Sequence, residues 1–513
     1  VTNDETGTLE ELLERAAANA RTHKHRVLVS VTERVDVADP LLALNAAVRI
    51  ASADTDLAEL IATRMYWTRP IDGFTLAGLG AAVTFAPDGA DRFATIDREW
   101  SALIGDALTV DTSGCAPGAG PTLMGGFAFD PEGPRTELWR DFPAAHLMVP
   151  RLLLARMGDE CSLTTTIIVR ADGQPDIQPE LIVRLRSALL ANVVMLTGSN
   201  EGVASGDHVT YADVRNASDW RVTVRDAVDD IRTGKIEKVV LAREVRAAAQ
   251  HDFDIITALH QMRSAHPTCY VFGFWHGDSA FVGATPERLV RVDDRNVQAS
   301  SLAGSARRGT TPEDDSARAA ELLASEKDRV EHEIVRRALV AGLERLCDDV
   351  ITDDGPALLS LPNVYHLHTA VRAQLRSGHT LLQVVAQLHP TPAVGGAPRN
   401  AALRFIREHE KMDRGWYAAP IGWLQRDRGE FAVALRSSLI TGSRASLFAG
   451  CGVVADSDPD QEYAESLLKL RPMEMSLAAA LVIDDSRSDD ESAAIDDPAA
   501  IDSTPALCSG DAG

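Results

Sequence analysis

Between residues 27 and 168, short apolar runs alternate with Gly, Pro and Asp turns, and Arg26–Val31, Gly73–Phe85 and Gly125–Phe129 read as strands. No regular exchange of strand and helix runs through this stretch, so the pattern predicts a mixed sheet rather than repeated βαβ units. Residues 5–20 read as a polar amphipathic helix and Glu180–Leu196 as a second helix. Thr197–Val209, with Gly198, Ser199, Asn200, Gly202, Ser205 and Gly206, reads as a linker. A second mixed region follows, about Tyr211–Ile483. Within it Ser325–Leu346 predicts a helix whose Val330, Ile334, Val335 and Leu339 face the core. Asp458 followed by Pro459 marks another helix start, an N-cap before a proline at the first helical position. The chain has no internal repeat. Its expected organisation is an amino-terminal half (1–205), a catalytic half (211–480) and an acidic, disordered tail (484–513).

At 513 residues and 45% hydrophobic content the chain can bury a large core. The net charge of −24 makes nucleic acid and anionic membrane unsuitable partners. About a third of that charge lies in the tail, so it says little about any site. Six scattered cysteines without a CxxC pair point away from zinc and from a disulfide framework, and suit a reducing compartment. No apolar run approaches the roughly 20 residues of a membrane span, and the acidic first residues do not resemble a secretory leader. A cytoplasmic location is expected, with monomer as the default state.

Several residues could carry chemistry, each with a plainer reading. Lys238 opens the apolar run KVVLAREVR; it is either an edge lysine reaching water or a lysine held away from water and able to act as a base. Glu287 ends FVGATPE, as a solvated turn glutamate or as a general acid lining a cleft. Gly304 and Ser305 sit in a tight polar segment where backbone and hydroxyl could meet a ligand. Asp328, Glu331 and His332 fall within about one helical turn, as a solvated acidic face or part of a site. Glu462, Glu465 and Lys469 fall on one face of the helix after Asp458. They form either a salt-bridged surface or oxygen ligands for Mg²⁺ beside a lysine. Gly78 and Gly80 are a lone pair without a full GxGxxG, so no nucleotide loop is expected. His366 and His368 share a strand face, yet have no third ligand nearby in sequence.

Order changes these odds. KVVLAR (238–243), GATPE (283–287), LAGSARRG (302–309), KDRVEH (327–332), YHLHT (365–369), LHPTPAVGG (388–396), VALR (433–436) and AGCGVVADSDPDQEYAE (449–465) occur in series. The series resembles the chorismate-utilising enzymes, which include isochorismate, salicylate, anthranilate and aminodeoxychorismate synthases. MYW (65–67), LAGLGAA (76–82), DRF (91–93), GGFAFD (125–130) and VPRLLLAR (149–156) resemble the amino-terminal half of long isochorismate synthases, such as those feeding menaquinone. The resemblance implies an α+β fold in which antiparallel sheets from both halves pack in a sandwich with helices outside, so that the halves are not independent domains.

Residue by residue, the resemblance implies Lys238 as the base that activates water and Glu287 as the acid for the departing hydroxyl. Glu331 and Glu465 would hold Mg²⁺, with Glu462 close by. Tyr417, Arg436 and Lys469, helped by the backbone at Gly450, would bind substrate carboxylates. His366, Ala393 and Val394 would line the ring pocket, and Gly304 and Ser305 would touch the ligand. Chorismate is a dianion, so a site in an acidic protein needs such local cations. The ammonia-using members usually carry glutamine in place of Lys238 and depend on a glutaminase; neither the glutamine nor a glutaminase-like stretch is present, so no glutaminase subunit is expected. Leu12-Leu13-Glu14-Arg15 lacks the serine of the anthranilate branch's feedback motif. Isochorismate synthase is therefore the expected activity, with salicylate synthase, which goes on to eliminate pyruvate, as the nearer rival.

Overall fold

The strand Ala145–Met157 is the point from which the sheet forks, in a computed structural model that describes residues 9–114, 117–191, 208–361 and 364–481. Along one edge it pairs with Phe74–Phe85. Along the other it pairs first with Leu123–Phe127 and then with Glu160–Val169. From Phe74–Phe85 one arm continues through Arg64–Arg69, Tyr270–His276, Ser279–Thr285, Ser437–Thr441 and Arg444–Val453 to Lys238–Ala248. From Leu123–Phe127 the other arm continues through Pro420–Leu424, Arg428–Val433, Arg288–Asp293 and Asn296–Arg307 to Val364–Leu375. All of these pairings are antiparallel; among the described residues the parallel one is Val27–Val35 with Leu108–Asp111. The expected antiparallel architecture is therefore the observed one.

Each arm crosses the boundary between the halves: Arg64–Arg69 hydrogen-bonds Tyr270–His276, and Leu123–Phe127 hydrogen-bonds Pro420–Leu424. One apolar core fills the space between the arms, with Trp67 and Phe127 from the first half packed among Phe272 and Phe431 from the second. Burial on this scale is the main term holding the halves together. Helices lie outside: Leu9–His23 against Val27–Val35, Glu326–Leu343 against Asn296–Arg307, and Pro459–Ala479 against Arg444–Val453. No helix among the described residues is long and apolar enough to cross a membrane.

Some expectations shift by a few residues. The first helix runs Leu9–His23, and the one expected at Glu180–Leu196 runs Pro179–Leu190. The 197–209 linker, up to residue 207, and the 484–513 tail lie outside the described residues. Gly78 and Gly80 belong to the strand Phe74–Phe85 rather than to a loop. In helix Glu326–Leu343, Ile334, Val335 and Leu339 are buried as expected, but Val330 is 52% exposed. Burial on this helix begins only at His332, because the turn before it overhangs the sheet at the rim of a cavity.

Candidate active site

The cavity opens beside the last strands of the two arms, Lys238–Ala248 and Val364–Leu375. Its walls come from strands Lys238–Ala248, Asn296–Arg307, Val364–Leu375 and Arg444–Val453, the turn at Thr391–Gly395, and helices Glu326–Leu343 and Pro459–Ala479. Glu287, Gly304, Ser305, Glu331, His366, Ala393, Val394, Tyr417, Arg436, Gly450, Glu462, Glu465 and Lys469 all line it. Residues as far apart in sequence as Glu287 and Lys469 are thus brought to one place.

Lys238 sits beneath this wall with no exposed surface. The edge-lysine reading fails because the strand is paired on both sides at this point, with Val453 beside Val239 and Ala397 beside Lys238 itself. Its ammonium lies 2.9 Å from Glu331 Oε1. Burial, the largest single effect, would raise the Glu331 carboxyl, but the charge and hydrogen bond of Lys238 together with the charges of Lys469 and Lys327 outweigh it and hold the group below the ordinary carboxylate range. Gly452 makes room for the pair: a Cβ there would meet the Glu331 carboxylate and stand 2.8 Å from Lys238 Cε.

Glu287 follows Pro286 at the end of strand Ser279–Thr285 and is only 5% exposed. Its amide donates to Thr285 Oγ1 at 3.2 Å, and its carbonyl accepts from the Val433 amide at 3.0 Å, so the turn is pinned to the sheet. Burial raises the carboxyl pKa to about 7 against the opposing charges of Lys238 and Lys469. A carboxyl that keeps its proton near neutrality is what a general acid needs.

Three carboxylates cluster on the two helices, each with a lysine. Glu465 Oε1 is 2.6 Å from Lys469 Nζ, and Glu462 Oε1 is 2.9 Å from Lys327 Nζ. Asp458 caps the second helix through the amides of Asp460 and Gln461, which sets the register of Glu462, Glu465 and Lys469 on the cavity face. Burial, and then the charge of Glu465, pushes the Glu462 carboxyl up. Burial likewise raises Asp328, with Glu331 adding to it against the hydrogen bond from Ser325. Among the described residues no three His, Cys, Asp or Glu donors converge as a ready metal cage; each of the three glutamates is paired with a lysine instead.

The cationic wall is Arg436 and Lys469. Lys469 Nζ donates to Gly450 O at 3.0 Å, beside the Tyr417 hydroxyl. Arg436 is buried, and its Nη2 donates to His366 Nε2 at 3.1 Å while Nη1 has no partner among the described residues. Burial first and Arg436 second hold the His366 ring far below its ordinary pKa, so it is neutral. Because Nε2 accepts from arginine, the proton is on Nδ1, which donates to Ser305 Oγ at 2.8 Å. That leaves the Ser305 hydroxyl proton free for a ligand. Gly304, at φ +79°, forms the bulge that aims Ser305 inward; a side chain there would crowd Asp328. His368, by contrast, lies outside the cavity lining.

Lys327, Arg414 and Gly452 were not singled out from the sequence. Lys327 and Gly452 stand inside segments that carry the family resemblance, which was the available signal; Arg414 lies outside them.

Comparison with known proteins adds an independent line. The model of a family described as chorismate binding enzyme matches residues 12–478. The salicylate biosynthesis isochorismate synthase of Pseudomonas aeruginosa is 36% identical over 92% of this chain and 94% of its own length. An isochorismate synthase of Bacillus subtilis is 35% identical over 89% of this chain and 95% of its own. Among solved structures, the menaquinone-specific isochorismate synthase of Escherichia coli superposes with a TM-score of 0.68 at 24% identity, covering 91% of this chain and 99% of that one. Component I of anthranilate synthase from Streptococcus pneumoniae superposes with a TM-score of 0.64 at 21% identity, over 78% and 92% of the two chains. Both share the fold.

Proposed function

The chain belongs to the chorismate-binding enzyme family, and on that premise we propose that it is an isochorismate synthase, an isomerase that converts chorismate to isochorismate. The observation that carries the reading is Glu287: a carboxyl protonated up to about pH 7, facing a cavity whose other charged walls suit a dianion. Relatives of nearly full length that bear the isochorismate synthase name support it.

In the proposed reaction Lys238, acting as the neutral amine, takes a proton from water as its oxygen bonds to C2 of the ring. The ring double bonds shift, the C4–O bond breaks, and Glu287 gives its proton to the departing hydroxyl. One water enters and one leaves, so the change is an isomerisation. Arg436, through its unpartnered Nη1, and Lys469 with Tyr417 hold the two carboxylates. His366, Ala393 and Val394 bound the ring, and Ser305 offers its free hydroxyl proton.

The acidic cluster suits Mg²⁺. Glu462 and Asp328 are pushed towards protonation partly by neighbouring carboxylates, a repulsion that a hard divalent cation relieves. Glu331 and Glu465, with Glu462 close by, would hold the ion, which when bound supplies positive charge for a substrate carboxylate. The enzyme is proposed to act in the cytoplasm as a monomer, without a glutaminase, and to supply menaquinone synthesis.

The test is turnover of chorismate by the purified full-length chain with Mg²⁺, products separated by chromatography and EDTA as control. Isochorismate that appears without salicylate and is lost on chelation supports the reading. Salicylate with pyruvate as lasting products would make it a salicylate synthase, and no turnover would sink the assignment.

A further inference from the structure

Strand Lys238–Ala248 is hydrogen-bonded along its whole length on one edge, by Arg444–Val453. Among the described residues the opposite edge has strand partners only at its ends: Gly396–Ala397 opposite Lys238 and Val239, and Thr210–Asp213 opposite Val245–Ala248. Between them Val240 and Ala242 present amides and carbonyls to a gap that no strand among the described residues fills. Buried groups of this kind must find partners. The Val240 amide donates to Gly395 O at 3.0 Å, and Trp220 Nε1 donates to Ala242 O at 3.2 Å. The other two bonds come from one ion pair. Arg414 Nη2 donates to Val240 O at 2.8 Å, and the Ala242 amide donates to Glu410 Oε2 at 2.8 Å.

Glu410 and Arg414 are both almost wholly buried, and they meet through two hydrogen bonds of 2.7 and 2.6 Å. Arg414 Nη1 reaches in the other direction and donates to Val394 O at 2.8 Å, and its own carbonyl accepts from the Tyr417 amide at 2.8 Å. One pair therefore ties together the strand bearing Lys238 and Val240, the turn bearing Val394, and the residue Tyr417. A buried ion pair is seldom a gain in stability over apolar packing. Its distinguishing property is direction, since the guanidinium fork fixes its acceptors in a plane.

We propose that Glu410 and Arg414 are positioning residues for the reaction, a role that rests on the isochorismate synthase reading. They stand in for the missing strand and set the depth of Lys238 relative to the wall formed by Val240 and Val394, against which the ring lies. Neither touches the reacting atoms; both act through the backbone they hold.

The experiment compares Arg414→Lys and Glu410→Gln with the wild type in full-length protein, under steady-state turnover of chorismate with Mg²⁺. Lysine keeps the charge but cannot serve the carboxylate and two carbonyls in one plane. A displacement of about 1 Å lowers kcat about 100-fold, while KM stays within about threefold because Arg436 and Lys469 are untouched and Tyr417 is held by the Arg414 backbone carbonyl, which both variants keep. Arg414→Ala is expected to regain part of its kcat with millimolar guanidinium, since Arg414 also borders a second cavity of about 220 Å³ beside Phe129 and Trp139 through which a small cation can enter. Amide hydrogen exchange should quicken in 238–244 and 391–395 and not across the sheet. Unchanged kcat in folded variants, a fall in rate only in proportion to folded protein, or uniformly faster exchange overturns the proposal. A wild type that does not turn over chorismate overturns the function itself, whereas an active wild type with unaffected variants overturns the positioning role alone.

Discussion

Glu331 Oε1 stands 2.9 Å from the ammonium of Lys238, a lysine with no exposed surface. The proposed base and one proposed metal ligand are therefore electrostatically a single unit. Removing the acid leaves a buried cation without its counter-charge, which costs about 3–5 kcal/mol. Glu331→Ala is expected to lower the denaturant midpoint accordingly and to abolish turnover. Lys238→Met strands the Glu331 carboxylate instead, which keeps the charges of Lys469 and Lys327 beside it, so it should lose less stability than Glu331→Ala and still be inactive. Equal stability of Glu331→Ala and wild type would show that Lys238 does not depend on this partner.

Glu287 imposes a sign on the pH dependence. Its carboxyl moves from an ordinary 4.5 to about 7 on folding, so the folded state binds the proton more tightly than the unfolded chain. Its contribution is full at low pH and is lost as pH rises from about 4.5 through about 7, a change of about 3 kcal/mol. Glu287→Gln should flatten that part of the stability–pH curve. In the wild type, turnover should fall above about pH 7 as the acid loses its proton. A curve that keeps its slope in Glu287→Gln would assign the titration to another group.

Gly452 is required by space rather than by backbone conformation. A methyl group there would press on the Glu331 carboxylate and on Lys238 Cε at 2.8 Å. Gly452→Ala is expected to cost about 1–3 kcal/mol and to lower kcat more than it raises KM. A crystal structure of the variant with the Lys238–Glu331 pair unmoved would contradict this account.

Mg²⁺ binding to the folded chain should raise its melting temperature. At tenfold the dissociation constant the added stability is about 1.4 kcal/mol. Glu465→Ala should remove most of that increment, and EDTA should return wild type to its metal-free value. A shift that persists in Glu465→Ala would place the ion elsewhere.

His366 connects Arg436 to Ser305 as a neutral ring with defined donor and acceptor sides. His366→Phe keeps a flat, slightly larger ring and removes both bonds, leaving a second guanidinium nitrogen of Arg436 without its imidazole partner. KM for chorismate is expected to rise about tenfold, one lost hydrogen bond to a charged group. Unchanged KM would mean that Arg436 is held by its surroundings without the imidazole.

Much of the site was legible because helix geometry is local. Asp458 and Pro459 announce the helix start, and the spacing of Glu462, Glu465 and Lys469 alone puts them on one face. Short apolar runs broken by turns pointed to a mixed sheet, and its antiparallel architecture came from the resemblance to a family. The limit shows at Val330, where periodicity assigned a core face that the neighbouring sheet does not cover.

Residue identity and local spacing were thus determined by the sequence itself: which groups can donate, accept or titrate, and which share a helix face. Whether Lys238 reaches water, whether Glu287 keeps its proton, and whether Glu410 and Arg414 meet a strand edge were decided only in the tertiary structure. Those properties depend on burial and on partners far away in the chain, such as Gly452 for Lys238 and Val240 for Arg414. Dielectric environment and long-range hydrogen bonding exist only once distant segments have packed, so no local pattern can encode them by itself.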